Sequence, residues 1–238
     1  MTTGPDEPFL CVRTSTIQSG LHNGPVLQSD CMVRNAALGL LLAGCAAAGD
    51  WQVTAGAGFG AYRSVTFSAP AGNAQAGIGR RFVLNAAGGR QIGEHLAVEG
   101  AWTYQDGDFE LSSGGTKTAF DASAQAVHAG LLGYLRGRSS RWRPFLTAGA
   151  GAKFYTGSET PAARPLSQFG SFRQGTDTRP LLLFGGGVEW NHSSRWALRL
   201  ELCDYATPFP TSVIVPAAGV HDGGWLHGFV AVFGITIR

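Results

Sequence analysis

The residues able to carry chemistry are few and widely spaced. Four cysteines, Cys11, Cys31, Cys45 and Cys203, show no CxxC or CxxH spacing, which argues against a zinc site and against a dense disulfide framework. His128, His221 and His227 fall near one prospective rim, where a metal or a pH-sensitive contact is imaginable. Their spacing follows no ligand pattern, and a histidine hydrogen-bonded in a polar interior is the simpler expectation. Gly56-Ala57-Gly58-Phe59-Gly60 and Gly149-Ala150-Gly151 imitate phosphate loops, but no helix follows either, so no amide nest or helix dipole awaits a phosphate. They read as packing glycines. No catalytic, cofactor-binding or metal-binding residue is assigned.

What remains is a set of ionisable residues at alternate positions of apolar segments: Glu99, Glu189 and Glu201 against Arg136, Lys153 and Arg199. An unpaired buried charge costs several kcal/mol, so ions on one face of such segments must pair if that face is enclosed. The three acids and three bases balance. They are expected to form an interior network that plugs a narrow lumen.

The elements that would position these residues repeat one theme from Trp51 onward: segments of about ten residues with period-two alternation. In Trp51–Tyr62 the odd positions are apolar while the even ones are Gln, Thr, Gly and Tyr. The later segments set Phe82, Leu84 and Ala86 against Asn85, and Leu96, Val98, Trp102 and Tyr104 against Glu99, Thr103 and Gln105. Then come Val127, Ala129, Leu131 and Leu135 against His128, Tyr134 and Arg136, and Leu146 to Phe154 against Thr147, Gly149, Gly151 and Lys153. The last three oppose Leu182, Phe184, Val188 and Trp190 to Gly185, Gly187 and Glu189; Trp196, Leu198, Leu200 and Leu202 to Arg199, Glu201 and Cys203; and Phe229 to Ile237 to Thr236 and Arg238.

The connections alternate in length. Those near 91–95, 137–141 and 191–195 are short, while those near 64–80, 106–122, 156–179 and 207–224 are long and rich in Gly, Ser, Thr and Pro. Short turns on one rim and long loops on the other, with both ends of the ladder on the short-turn rim, predict an all-β, antiparallel up-and-down transmembrane barrel of about eight strands.

Composition agrees. Of 238 residues 35 are Gly, 44% are apolar, 11% aromatic and only 14% charged, which excludes a disordered chain. A net charge of +2 with scattered Lys and Arg gives no reason to expect nucleic acid. Residues 1–48 read as an N-terminal extension and signal peptide, with 49–238 as the barrel domain. Met32 is the better start: Arg34 supplies a positive region, Ala36 to Ala48 an apolar run, and Ala46-Ala47-Ala48 a cleavage site. Within that run Leu42-Ala43-Gly44-Cys45 resembles a lipobox, so cleavage near Ala48 and lipidation at Cys45 both stand open. The run is too short to span a bilayer of ~30 Å as a helix.

A soluble barrel points apolar residues inward. Here the apolar rows are tipped with aromatic residues, Trp51, Trp190 and Trp196 near the short turns and Trp102, Tyr104 and Phe154 at the other end. They read as two interfacial girdles, with lipid outside and the Gly and ionised rows inside.

The strand pattern of 51–238, with Pro144-Phe145-Leu146-Thr147-Ala148-Gly149-Ala150-Gly151, Gly185-Gly186-Gly187-Val188 and Gly234-Ile235-Thr236-Ile237-Arg238, resembles the eight-stranded outer-membrane barrel superfamily that includes the OmpA membrane domain, OmpX and the opacity-type barrels. The resemblance implies an outer-membrane, non-enzymatic, monomeric barrel with a structural, adhesion or surface-interaction role and no cofactor. It implies as partners outer-membrane lipid, lipopolysaccharide and the barrel-assembly machinery. Such barrels usually end in an aromatic residue that the insertion machinery reads, whereas this ladder ends in Arg238, with Phe233 the nearest aromatic residue. Some barrels of this size modify lipid, and a lipid A deacylase uses a His-x-Ser pair with a Glu on the outer side. His192-Ser193-Ser194 and Glu201 match superficially, but His192 and Ser194 fall in a short turn on the opposite side, so no role is given to them. A soluble lipocalin-like carrier is the other alternative.

Overall fold

The structure, a computed structural model, describes residues 50–69, 72–79, 81–157, 166–220 and 224–238. The expected leader, with its start and cleavage sites, lies outside these residues, as does His221. In chain order the strands are β1 (Trp51–Tyr62), β2 (Val65–Ala69), β3 (Gly72–Ile78), β4 (Arg81–Ile92), β5 (Leu96–Asp106), β6 (Phe109–Ser113) and β7 (Thr116–Phe120). There follow β8 (Ala122–Tyr134), β9 (Trp142–Gly157), β10 (Gly170–Phe172), β11 (Gly175–Asn191), β12 (Trp196–Pro208), β13 (Ile214–Pro216) and β14 (Trp225–Ile237).

Eight of these close an antiparallel barrel in the order β1-β14-β12-β11-β9-β8-β5-β4. Each of these strands pairs with its successor among the eight, and β1 closes on β14 from Val53 opposite Ile237 to Tyr62 opposite Gly228. The alternation read from the sequence is the pleat of this wall. Phe59, Leu202 and Phe233 are 72%, 58% and 56% exposed, whereas Arg199 is 2% and Glu189 0% exposed. Leu198, Leu200 and Leu202 point outward while Arg199 and Glu201 point into the bore. A wall of this kind is stable only against hydrocarbon, because in water it would be an apolar patch far beyond what soluble monomers tolerate.

Glycine lets the strands coil closely enough to close at eight. A Cβ on Gly187 would lie 2.1 Å from the Leu200 carbonyl oxygen and 2.7 Å from the Phe145 ring. The turn from β4 to β5 also depends on glycine, at Gly93 with φ of 75°.

The long connections are the departure from the sequence reading, because they carry strands of their own. β2, β3, β6 and β7 make a four-stranded sheet in which β3 joins β6 across two different connections, and β10 pairs with β13 across the other two. A single apolar cluster fills this cap, with Phe67, Phe109, Leu111, Phe120, Phe172, Phe209 and Ile214 all buried. Phe67 meets Phe209 edge to face at 5.2 Å and Phe120 stacks on Phe172 at 5.3 Å.

Candidate functional site

The bore is the part of the barrel where chemistry is concentrated, and strand position dictates which side chains meet there. In the closed order, β12 lies four strands from β5 and β1 lies four strands from β9, so each pair faces across the diameter. Three side-chain contacts span it. Arg199 on β12 donates from Nη1 to Glu99 Oε2 at 2.6 Å and from Nη2 to Glu99 Oε1 at 3.1 Å, a two-pronged bond to β5. Tyr205 and Thr103 share a hydroxyl contact of 3.1 Å between the same strands. Lys153 Nζ on β9 donates to the Tyr62 hydroxyl on β1 at 2.6 Å.

The middle cluster centres on Arg199. Its Nη2 also reaches Glu201 Oε2 at 2.6 Å, and its guanidinium lies 4.6 Å from the Phe145 ring centre. The Cys203 thiol donates to Glu201 Oε1 at 3.0 Å, and His128 Nε2 lies 3.1 Å from the Tyr205 hydroxyl.

Toward the short turns, Glu189 stands directly opposite both Arg143 on β9 and Arg199 on β12. Its oxygens take the Tyr134 hydroxyl at 2.7 Å, Arg143 Nη1 at 3.6 Å, and Arg238 Nη2. Arg143 is wholly buried, stacked 3.7 Å over the Tyr134 ring. The middle cluster therefore holds one cation between two anions, and this one holds one anion between two cations. Their opposite excess charges face each other across the β11–β12 register, which offsets the desolvation of both.

Two members of the expected network fall elsewhere. Arg136 lies beyond the end of β8, exposed in the turn, and only its carbonyl takes part, accepting from Arg143 Nε at 3.5 Å. The alternation that placed it inward stops with the strand at Tyr134, and Arg143 holds the interior place instead. Lys153 is interior, but it sits near the long-loop end inside a cage of Tyr62, Tyr155 and Tyr205 rings at 4.7, 5.4 and 5.3 Å rather than beside Glu99, Glu189 or Glu201. Cation–π attraction and a hydroxyl acceptor replace the carboxylate partner. Sequence reading also missed an apolar layer in the bore, made by Val83, Leu181, Leu183 and Val230. β11 shows why: its run Leu181-Leu182-Leu183-Phe184 is apolar on both faces, so alternation does not reveal an interior side.

Of the girdle residues, Trp51, Trp190 and Trp196 stand at the short-turn ends of β1, β11 and β12, where Trp142 adds a ring 5.8 Å from Trp190. Trp102, Tyr104 and Phe154 face outward on β5 and β9, with Trp102 stacked on Tyr104 at 6.3 Å. His192 lies in the β11–β12 turn, 5.7 Å from the Trp190 ring and 4.3 Å from the Trp196 ring, while Glu201 is inside the bore. The superficial His-x-Ser and Glu match is therefore split across the wall. His128 points inward and His227 outward, so they do not meet. Among the described residues no three of His, Cys, Asp and Glu stand close enough to hold a metal ion.

An acid–histidine pair faces outward. His227 Nδ1 lies 2.7 Å from Asp204 Oδ2, on adjacent strands β14 and β12. At the short-turn rim Arg138 Nη1 donates to Asp50 Oδ1 at 2.7 Å, and the guanidinium holds that carboxyl below the usual range.

An antiparallel eight-stranded wall, apolar outside and filled inside, defines a transmembrane β-barrel of the outer-membrane type. Solved structures agree on the fold. Neisserial surface protein A matches with a TM-score of 0.52 at 12% identity over 80% of this chain and 97% of its own. The outer membrane protein OprG from Pseudomonas aeruginosa matches with a TM-score of 0.50 at 14% identity over 78% and 94%. No family model and no curated protein matches the chain.

Proposed function

We propose that the chain is a monomeric, non-enzymatic, non-conducting outer-membrane barrel whose work is done by the cap it holds at the cell surface. The observation that carries this reading is the set of three contacts across the diameter, above all the buried Arg199 bond to Glu99. A bore crossed at several levels by hydrogen-bonded side chains leaves no continuous water path, and the folded cap lies over its outer end. The wall meets outer-membrane lipid and lipopolysaccharide, and the cap presents β-structure to external partners. Insertion through the barrel-assembly machinery belongs to the same reading.

The test is conductance. Purified protein in planar bilayers should show no steady channels, and a variant carrying E99A and R199A together should stay closed, because the Lys153–Tyr62 and Tyr205–Thr103 crossings and the apolar layer remain. Steady ion channels in the parent would defeat the proposal.

His227 and Asp204 support a second reading, a lipid-acting enzyme. A histidine oriented by a carboxylate on the lipid-facing wall is a general-base arrangement. No Ser, Thr or Cys occupies an outward position on β12 or β14, so water would have to be the nucleophile. Lipopolysaccharide and phospholipid incubated with the parent and with H227A, then weighed by mass spectrometry, separate the readings: acyl loss with the parent alone favours the enzyme.

A further inference from the structure

The short-turn mouth of the bore opens into a cavity of about 590 Å³. Four arginines line it: Arg138, Arg141, Arg143 and Arg238. Their carboxylate partners fall short. Asp50 neutralises Arg138 at 2.7 Å, and Glu189 is shared between Arg143 and Arg238. Among the described residues Arg141 pairs with no carboxylate; it is exposed, 5.6 Å from the Trp190 ring centre. Glu94, whose Oε2 accepts from the Arg138 backbone N–H at 2.9 Å, is a third carboxylate here, so one guanidinium charge of the four is in excess.

A buried donor is left over as well. Gln52 lines the cavity, is 2% exposed and turns its amide toward the Tyr134 hydroxyl, while Arg238 Nε has no acceptor among the described residues. Buried N–H donors without acceptors are rare in native proteins. Such a donor beside the unpaired Arg141 describes a complement to a ligand made of acceptors, and planar guanidinium groups favour oxyanions with two or three oxygens.

We propose that this mouth is a binding site for a phosphate-type oxyanion on the periplasmic side, gripped by Arg141 and Arg238. The rim carries Trp51, Trp142, Trp190 and Trp196, which sets it at the depth of the inner-leaflet headgroups. The phosphate can therefore belong to a lipid headgroup or be free in solution.

The experiment uses the full chain in phosphatidylcholine vesicles, titrated with pyrophosphate and followed by phosphorus NMR and calorimetry. Saturable binding is expected, weakened about tenfold by R141Q, as loss of one charged contact implies. R141Q removes an exposed side chain with no ion pair, so it leaves the fold intact; R238Q is the second variant, checked for folding by heat-modifiable gel migration. Repetition in vesicles containing phosphatidylglycerol separates the sources. Weaker pyrophosphate binding there assigns the site to a lipid headgroup, and unchanged binding assigns it to a soluble phosphate. Absence of saturable binding in both vesicles, or equal binding by the parent and R141Q, overturns the proposal. Neither result bears on conductance, so the closed-barrel reading stands or falls separately.

Discussion

The replacement R199M removes the only cation held between Glu99 and Glu201 and keeps most of the side-chain volume. Three charged contacts disappear, two to Glu99 and one to Glu201. The two carboxylates are not equally placed: the Glu99 side chain is 9% exposed and that of Glu201 20%. Glu201 can recover some hydration and keeps the Cys203 thiol donor, so most of the cost falls on Glu99. Removing one partner of a buried ion pair costs about 3–5 kcal/mol. The expected loss lies in that range, against a smaller loss for E99Q, which leaves Arg199 with Glu201. Neutralising the whole cluster in E99Q/R199M/E201Q should restore stability to within about 2 kcal/mol of the parent, because buried ions replaced together by neutral groups of similar volume leave no stranded charge. Urea unfolding in lipid vesicles, followed by tryptophan fluorescence, reads these differences, since all six tryptophans lie in barrel strands. If R199M unfolds within about 1 kcal/mol of the parent, or if the triple variant is as unstable as R199M, Arg199 does not hold Glu99 and Glu201 in a buried cluster.

Other substitutions probe the wall, the glycines and the cap. G187V puts branched carbon where a Cβ already meets the Leu200 carbonyl at 2.1 Å; it should cost more than about 2 kcal/mol, and the gel should show a diminished folded band. L200K places a charge on a lipid-facing position that is 52% exposed and should cost about 2–4 kcal/mol if that position lies near the bilayer midplane; indifference to this change would contradict the membrane wall. F67A empties a fully buried site against Phe209. It should loosen the cap locally by about 3–5 kcal/mol, seen as new protease cuts in the long connections while the barrel keeps its heat-modifiable shift.

The barrel was legible because each lipid-facing strand has one face in hydrocarbon and the other in a narrow bore, and that difference imposes a period of two on residue type. β1 and β9 show it residue by residue. Arg199 and Glu201 were legible for the same reason. Pairing was not, because alternation places a residue inside but says nothing of height: Lys153 and Glu99 share the interior yet Lys153 stands among tyrosines. Arg143 escaped notice because it precedes Pro144, beside a short turn, where charge looks like solvent exposure. The cap escaped because its apolar residues come in short bursts within polar loops, such as Val65 and Phe67 or Phe109 and Leu111. Their partners lie on other connections, as Phe120 and Phe172 do, so no local window contains the core they build.

That distribution also sets which part depends on which. The cap sheet has four short strands of five to seven residues, and a small sheet of this kind is marginal in isolation. In this chain both ends of every long connection are anchored in barrel strands that pair with each other. Closing the barrel brings the connections together, so the entropy of gathering four loops is largely spent before the cap core forms. The cap core then forms from its own phenylalanines on a floor of barrel residues, Ala124, Tyr155 and Leu226 among them. The barrel, by contrast, is pinned by its eight-strand ladder and by contacts across the bore that involve no cap residue, such as Arg199 to Glu99. Stability therefore runs one way, from wall to cap. The cap can change its side chains with little consequence for the barrel, which is the arrangement expected on the proposal that the long connections contact external partners.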